Sequence, residues 1–240
     1  MKIDPEKCIA CLECIDFCPM NCIAEKDDAV SIDQDECVDC GVCLHAGVCP
    51  TEALYMPEEA NQYPRAIRAQ FSDPGVWHPS TNQGGRGTEE MKTNDVTGRF
   101  RRGEYGMALE FGRPGTGARM ADLEKVLLGL VKMDVELEHD NAVFAFLEEP
   151  FTGKMKPEFK DEKVLSAILE FKIREEQLEG VVRQLQPILA EVDTVVSWGL
   201  ATRFAKDGTL RVREKLRALG VPARPNAKIN MGMGRPIVEE

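Results

Sequence analysis

The chain has 240 residues, a formal net charge of −11 and nine cysteines. That length leaves room for one small module and one domain of ordinary size. No apolar run approaches the roughly 18 residues that a membrane-crossing helix needs, and the acidic balance disfavours nucleic acid, so neither membrane insertion nor nucleic-acid binding is expected. The charge is unevenly placed. Residues 1–60 hold 14 Asp and Glu against 3 Lys and Arg, whereas residues 61–240 hold 27 acids and 27 bases. The field of the acidic segment steers association towards a basic partner surface and weakens with salt.

The chain opens Met-Lys-Ile-Asp-Pro-Glu, with no apolar stretch to read as a targeting segment. Two cysteine quartets follow. The first is Cys8, Cys11, Cys14 and Cys18; the second is Cys37, Cys40, Cys43 and Cys49; each ends in Cys-Pro, at Pro19 and Pro50. Triplets spaced in this way bring three thiolates onto one tight loop around a cubane iron-sulfur cluster. The fourth cysteine is held off towards a different cluster. Zinc sites are more often built from CxxC pairs. Thiols kept reduced for such clusters imply a reducing, cytoplasmic compartment.

The segments CIACLECIDFCPMNCIAE and CVDCGVCLHAGVCPTEALYM repeat one another. Cys8, Cys11 and Cys14 match Cys37, Cys40 and Cys43 at a constant offset of 29 residues. On these motifs, residues 1–57 resemble a bacterial-type two-cluster ferredoxin. The resemblance implies two [4Fe-4S] clusters with crossed ligation, Cys8, Cys11, Cys14 and Cys49 on one and Cys37, Cys40, Cys43 and Cys18 on the other. Ile9, Ile15, Ile23, Val38, Val42 and Leu54 would then help to set the potentials by excluding solvent. Five residues, Leu44 to Val48, stand between Cys43 and Cys49 where the family pattern has three, so the geometry around one cluster is expected to differ. Cys22 aligns with Ala53 and reads as a small buried residue or a spare ligand. His45, inside the insertion, reads as a solvated loop residue or a group coupling protonation to reduction.

Residues 58–103 read as a connector punctuated by Pro64, Pro74, Pro79 and the run NQGGRG. Its basic residues Arg86, Arg99, Arg101 and Arg102 are candidates to bind an anion or to lie against the acidic module. Periodicity becomes readable in residues 104–240. Tyr105–Phe111 alternates as a strand, and GRPGTGARM then turns the chain. Leu123, Val126, Leu127, Leu130 and Val131 share one face of an amphipathic helix. Ala142–Leu147 and Lys163–Lys172 read as strands. A second helix carries Leu178, Val181, Val182, Leu185, Ile188 and Leu189, with Pro187 near its end, and Asp193–Ala201 reads as a strand. A short helix, Leu210–Leu219, stops at Gly220, and Lys228–Met231 reads as extended. The order strand, helix, strand, strand, helix, strand is the split βαβ pattern, so the expected fold is α+β: a small ferredoxin module followed by an antiparallel sheet with helices on one face.

Outside the cysteines no catalytic constellation is visible. GRPGTGARM sits where backbone amides could hold an anion, yet it lacks the Lys-Ser/Thr ending of a phosphate loop and reads as a tight turn. His139 in ELEHDN has no second histidine to share a metal, and His78 has no identifiable partner. The leading functional reading is an electron-transfer subunit or dedicated carrier, passing single electrons between its clusters and a partner oxidoreductase and docking through the C-terminal domain. The alternatives are an oxidoreductase with its own substrate site in that domain, and a ligand-sensing regulatory protein.

Overall fold

The computed structural model describes residues 1–85, 100–113, 115–221 and 223–225. In the first 57 residues the sequence repeat becomes a pseudo-twofold backbone. The elements are β1 (Lys2–Ile3), β2 (Ile23–Lys26), β3 (Ala29–Ile32), the short helix α1 (Val42–His45) and β4 (Leu54–Tyr55). The first strand of each half pairs antiparallel with the last strand of the other, Ile3 facing Leu54 and Ile32 facing Ile23. The hairpin between β2 and β3 turns on Asp27 and Asp28, with φ of 53° and 60°. Two positive-φ residues make the turn whose twist matches that of the flanking strands.

The Pro and Gly punctuation of the connector hides a helix, α2 (Ala66–Ser72), preceded by a 3-10 turn at Glu58–Asn61. Its seven residues are too few to show a helical period between Pro64 and Pro74. Ile67 and Phe71, four residues apart on one face, enter the core of the C-terminal part, while Arg68 turns the other way.

That core is built on β5 (Glu104–Phe111), β6 (Ala118–Arg119), α3 (Met120–Leu130), β7 (Glu136–Leu137), β8 (Lys163–Val164), β9 (Ala167–Arg174), α4 (Leu178–Leu189), β10 (Val196–Ala201) and α5 (Val212–Ala218). The main sheet has the order β10-β5-β9-β7 with every neighbouring pair antiparallel, and β6 pairs with β8 separately. Leu109 lies opposite Leu169 on one side and Trp198 on the other, and Met107 lies opposite Phe171 and Leu200. These residues form one sheet face, packed with Leu123, Val126, Leu127 and Leu130 of α3 and Leu178, Val181, Val182 and Leu185 of α4. Both helix faces are those expected from the 3.6-residue period. Helix α5 ends at Gly220 (φ 74°), with the Val221 N–H reaching back to the Leu216 carbonyl at 2.9 Å, a left-handed stop. No described helix is long and apolar enough to cross a membrane.

Two expected strands take a different form. Ala142–Leu147 is a 3-10 helix over Ala142–Phe146, because Asn141 caps it: its Oδ1 accepts the Val143 N–H at 3.0 Å and its Nδ2 donates to the Ile168 carbonyl at 2.8 Å. A short apolar run does not by itself separate strand from helix, and the strand position in the sheet falls to β7. Lys163–Lys172 divides into β8 and β9. Between them, Leu165 packs into the core of the N-terminal module. The extended reading of Lys228–Met231 lies outside the described residues, as do Arg86 and Arg99.

The two parts meet over a broad junction. Arg68 pairs with Glu162, and Lys163 and Arg119 both reach Glu36. The Leu165 N–H donates to Ser72 Oγ at 2.9 Å. The turn after β5 presses against the loop that follows Cys18: a Cβ on Gly115 would stand 2.7 Å from the Pro19 carbonyl oxygen.

Candidate iron-sulfur centres

Each cysteine triplet rides on a loop whose backbone the repeat dictates. Ala10 and Leu12 have φ of 52° and 68°, and the matching Asp39 and Gly41 have 50° and 70°. Left-handed residues alternating with the cysteines curl each loop into a concavity. The same correspondence holds after the fourth cysteine of each half. Asn21 and Glu52 are both left-handed, at 51° and 53°. The Cys22 N–H then donates to Cys18 Sγ at 3.4 Å, and the Ala53 N–H donates to Cys49 Sγ at 3.2 Å. Amides aimed at sulfur favour the thiolate and, in cluster proteins, tune the potential.

Two cavities result. Cys8, Cys11, Cys14 and Cys49 line one, walled by Ile3, Ile9, Leu12 and Leu54. Cys18, Cys37, Cys40 and Cys43 line another, walled by Met1, Met20, Ile23 and Val38. Each cavity thus draws a cysteine triplet from one half and the fourth cysteine of the other, with Cys22 added in the second. Among the described residues no three His, Cys, Asp or Glu side chains converge on a point that one ion would occupy. Thiols gathered from both halves around one cavity suit an iron-sulfur cluster. The electrostatics agree. Burial and the neighbouring thiolates push Cys43 up to about 12, and burial also raises Cys14 and Cys40. Hydrogen bonds instead lower Cys18, Cys37 and Cys49, and a soft thiolate donor set of this kind fits iron.

Cys22 lines the second cavity, with its Sγ 3.4 Å from Cys18 Sγ, and is buried. Its hydrogen bond holds Cys18 down at about 5. It therefore packs beside the cavity as a buried thiol, and also stands within reach of it. His45 Nε2 lies 3.3 Å from Asp73 Oδ2, on the outer side of Gly41. His139 packs on the Phe151 ring with centroids 4.6 Å apart.

Two cations that the sequence did not single out, Arg65 and Arg68, touch the module. Arg65 donates from Nε and Nη2 to the two carboxylate oxygens of Asp39 at 2.8 and 3.1 Å. Arg68, buried in α2, donates from Nη1 to the carbonyls of Gln34 and Cys37, both at 2.7 Å. Burial works against ionisation of Asp39, but Arg65 and the Met1 amine outweigh it and leave the carboxyl below its usual range. Asp39 occupies a position between two cysteines where the first half has the uncharged Ala10, and that asymmetry was the available signal.

Comparison with known proteins bears on the same residues. The 4Fe-4S dicluster domain family matches residues 1–50. The chain is 42% identical over 72 residues to "Ferredoxin 7Fe" of Hydrogenibacillus schlegelii, spanning 28% of this chain and 90% of that protein. It is 43% identical over 76 residues to a ferredoxin of Saccharopolyspora erythraea, spanning 29% and 70% of the two. It is also 44% identical over 57 residues to the pyruvate synthase subunit PorD of Methanothermobacter marburgensis, spanning 24% and 64%. A likeness covering nine-tenths of a small ferredoxin, laid over two cysteine-lined cavities, leads to one conclusion: this chain belongs to the ferredoxin family, its N-terminal module carries two [4Fe-4S] clusters for electron transfer, and its C-terminal domain extends beyond the family likeness.

Proposed function

We propose that this protein is a subunit or dedicated carrier that passes single electrons to or from a partner oxidoreductase. Residues 1–57 are the redox module, 58–103 the connector and 104–240 an α+β sandwich of the split βαβ type; the strand order β10-β5-β9-β7 supports that last reading. Cys8, Cys11, Cys14 and Cys49 hold one cluster, and Cys37, Cys40, Cys43 and Cys18 hold the other. The observation that carries this assignment is the crossed composition of the two cavities. Bound there, each cluster supplies a one-electron couple.

The protein's own residues set the terms of that exchange. Apolar walls keep water from the sulfurs, amides of Cys22 and Ala53 stabilise thiolate charge, and Ile9 and Cys11 bring the first cavity to the surface. The acidic surface of residues 1–60 fits a partner with a basic docking face, and the C-terminal domain completes the contact. Likeness to a subunit of pyruvate synthase supports a place beside an oxidoreductase, and thiols kept reduced for clusters suit the cytoplasm. Anaerobic affinity capture of the tagged protein from its own cells, followed by mass spectrometry, tests the proposal. The expected result is a stoichiometric redox enzyme that separates in high salt. Elution alone with intact clusters would contradict the partner reading.

A further inference from the structure

The repeat makes the two cluster sites comparable position by position, and the C-terminal domain breaks their equivalence. Ile9 is 64% exposed whereas its counterpart Val38 is 1% exposed; Cys11 is exposed whereas Cys40 is 9% exposed. The first site is an outer one. The second lies under α2, the strand β8 and the turn after β5. Reduction adds a negative charge to a group already held by four thiolates, and burial alone disfavours it.

Buried charge near the inner site is arranged as a triad of Asp39, Arg65 and the Met1 amine and a second group, the pair of Arg68 and Glu162. Asp39 Oδ1 stands 3.5 Å from Cys37 Sγ, but the Arg65 fork spans both of its oxygens and, together with the buried Met1 amine, offsets it. Arg68, 6% exposed, keeps its Nη1 on the carbonyls of Gln34 and Cys37, while its Nε faces Glu162 on the C-terminal domain. The cationic end of this second pair therefore points at the inner site and the anionic end points away from it. The outer site has Ala10 where the inner one has Asp39.

We propose that Arg68 is the counter-charge that keeps the buried inner cluster reducible, so that the outer cluster serves as the port and the inner one as a usable second electron site. The proposal rests on the two-cluster electron-transfer reading. Arg68 acts through the field at the Cys37 loop and is a positioning residue, not a ligand.

The test is an anaerobic potentiometric titration of the full chain, with each cluster followed through its own paramagnetically shifted cysteine β-proton signals. In Arg68→Met the inner potential should fall by about tenfold in the reduction equilibrium, about 59 mV for one electron, with the outer potential unmoved. Arg68→Lys should restore most of that shift. Glu162→Gln should move the inner potential the opposite way, and it carries the test if Arg68→Met fails to fold. An unmoved inner potential in Arg68→Met, equal shifts of both clusters, or the same direction of shift in Arg68→Met and Glu162→Gln would overturn the role of Arg68. An iron content well under about eight per parent chain would instead defeat the two-cluster reading on which it rests.

Discussion

His78 has no partner in the sequence, yet it is fully buried between Phe71 and Phe146, with ring centroids 5.2 and 5.5 Å away. Its Nδ1 accepts the Ser80 N–H at 3.3 Å and lies 2.9 Å from Ser80 Oγ, whereas Nε2 is buried without a partner. Burial holds the imidazole down at about 4 against an ordinary value of 6.5. Because the unfolded chain takes up the proton first, this site's stabilisation is complete above pH 6.5 and shrinks as pH falls towards 4. At pH 5 the loss is on the order of 2 kcal/mol. Melting His78→Phe beside the parent protein between pH 7 and 5 should show a shallower fall in Tm for the variant; parallel curves would refute this account of His78. The cysteine ligand candidates were legible because a cluster site is written in local spacing. His78 and Arg68 were not, because what defines them is distant: Phe146 for the one, Glu162 and the Cys37 carbonyl for the other.

At the scale of elements, the turn GRPGTGARM is a structural wedge between the two parts. The Gly117 N–H and the Thr116 N–H both return to the Gly112 carbonyl, at 3.0 and 3.1 Å, which closes the turn tightly. Gly115 has φ 63° and no room for a side chain against the Pro19 carbonyl. Gly115→Ala should therefore cost more than the left-handed penalty of about 1–2 kcal/mol, and should speed iron loss from the inner site. Gly208→Ala is the control, since its φ of 78° imposes the same backbone penalty with nothing within 4 Å. Equal Tm losses in the two variants, with iron retention unchanged, would show that the turn does not brace the inner loop. The sequence revealed this element as a turn but not its purpose. Helices α3 and α4 were visible through their apolar faces, while α2 was too short to show a period, and the Asn141 cap overrode the strand-like run Ala142–Leu147.

Over the whole molecule, the acidic redox module and the charge-balanced C-terminal domain are locked together through Glu36, Arg68, Glu162 and Lys163. The domain shields one of two repeated sites and leaves the other at the surface. A repeat that began symmetric thus becomes directional, with an exposed port and a sheltered partner site. Crossed ligation is the central claim, because it makes the two halves one redox unit. The measurement that tests it most directly is iron analysis and paramagnetic NMR of Cys18→Ala, prepared anaerobically. The account predicts loss or conversion of the cluster held by Cys37, Cys40 and Cys43, with the signals of Cys8, Cys11, Cys14 and Cys49 retained. Loss of the cluster held by Cys8, Cys11 and Cys14 would contradict it.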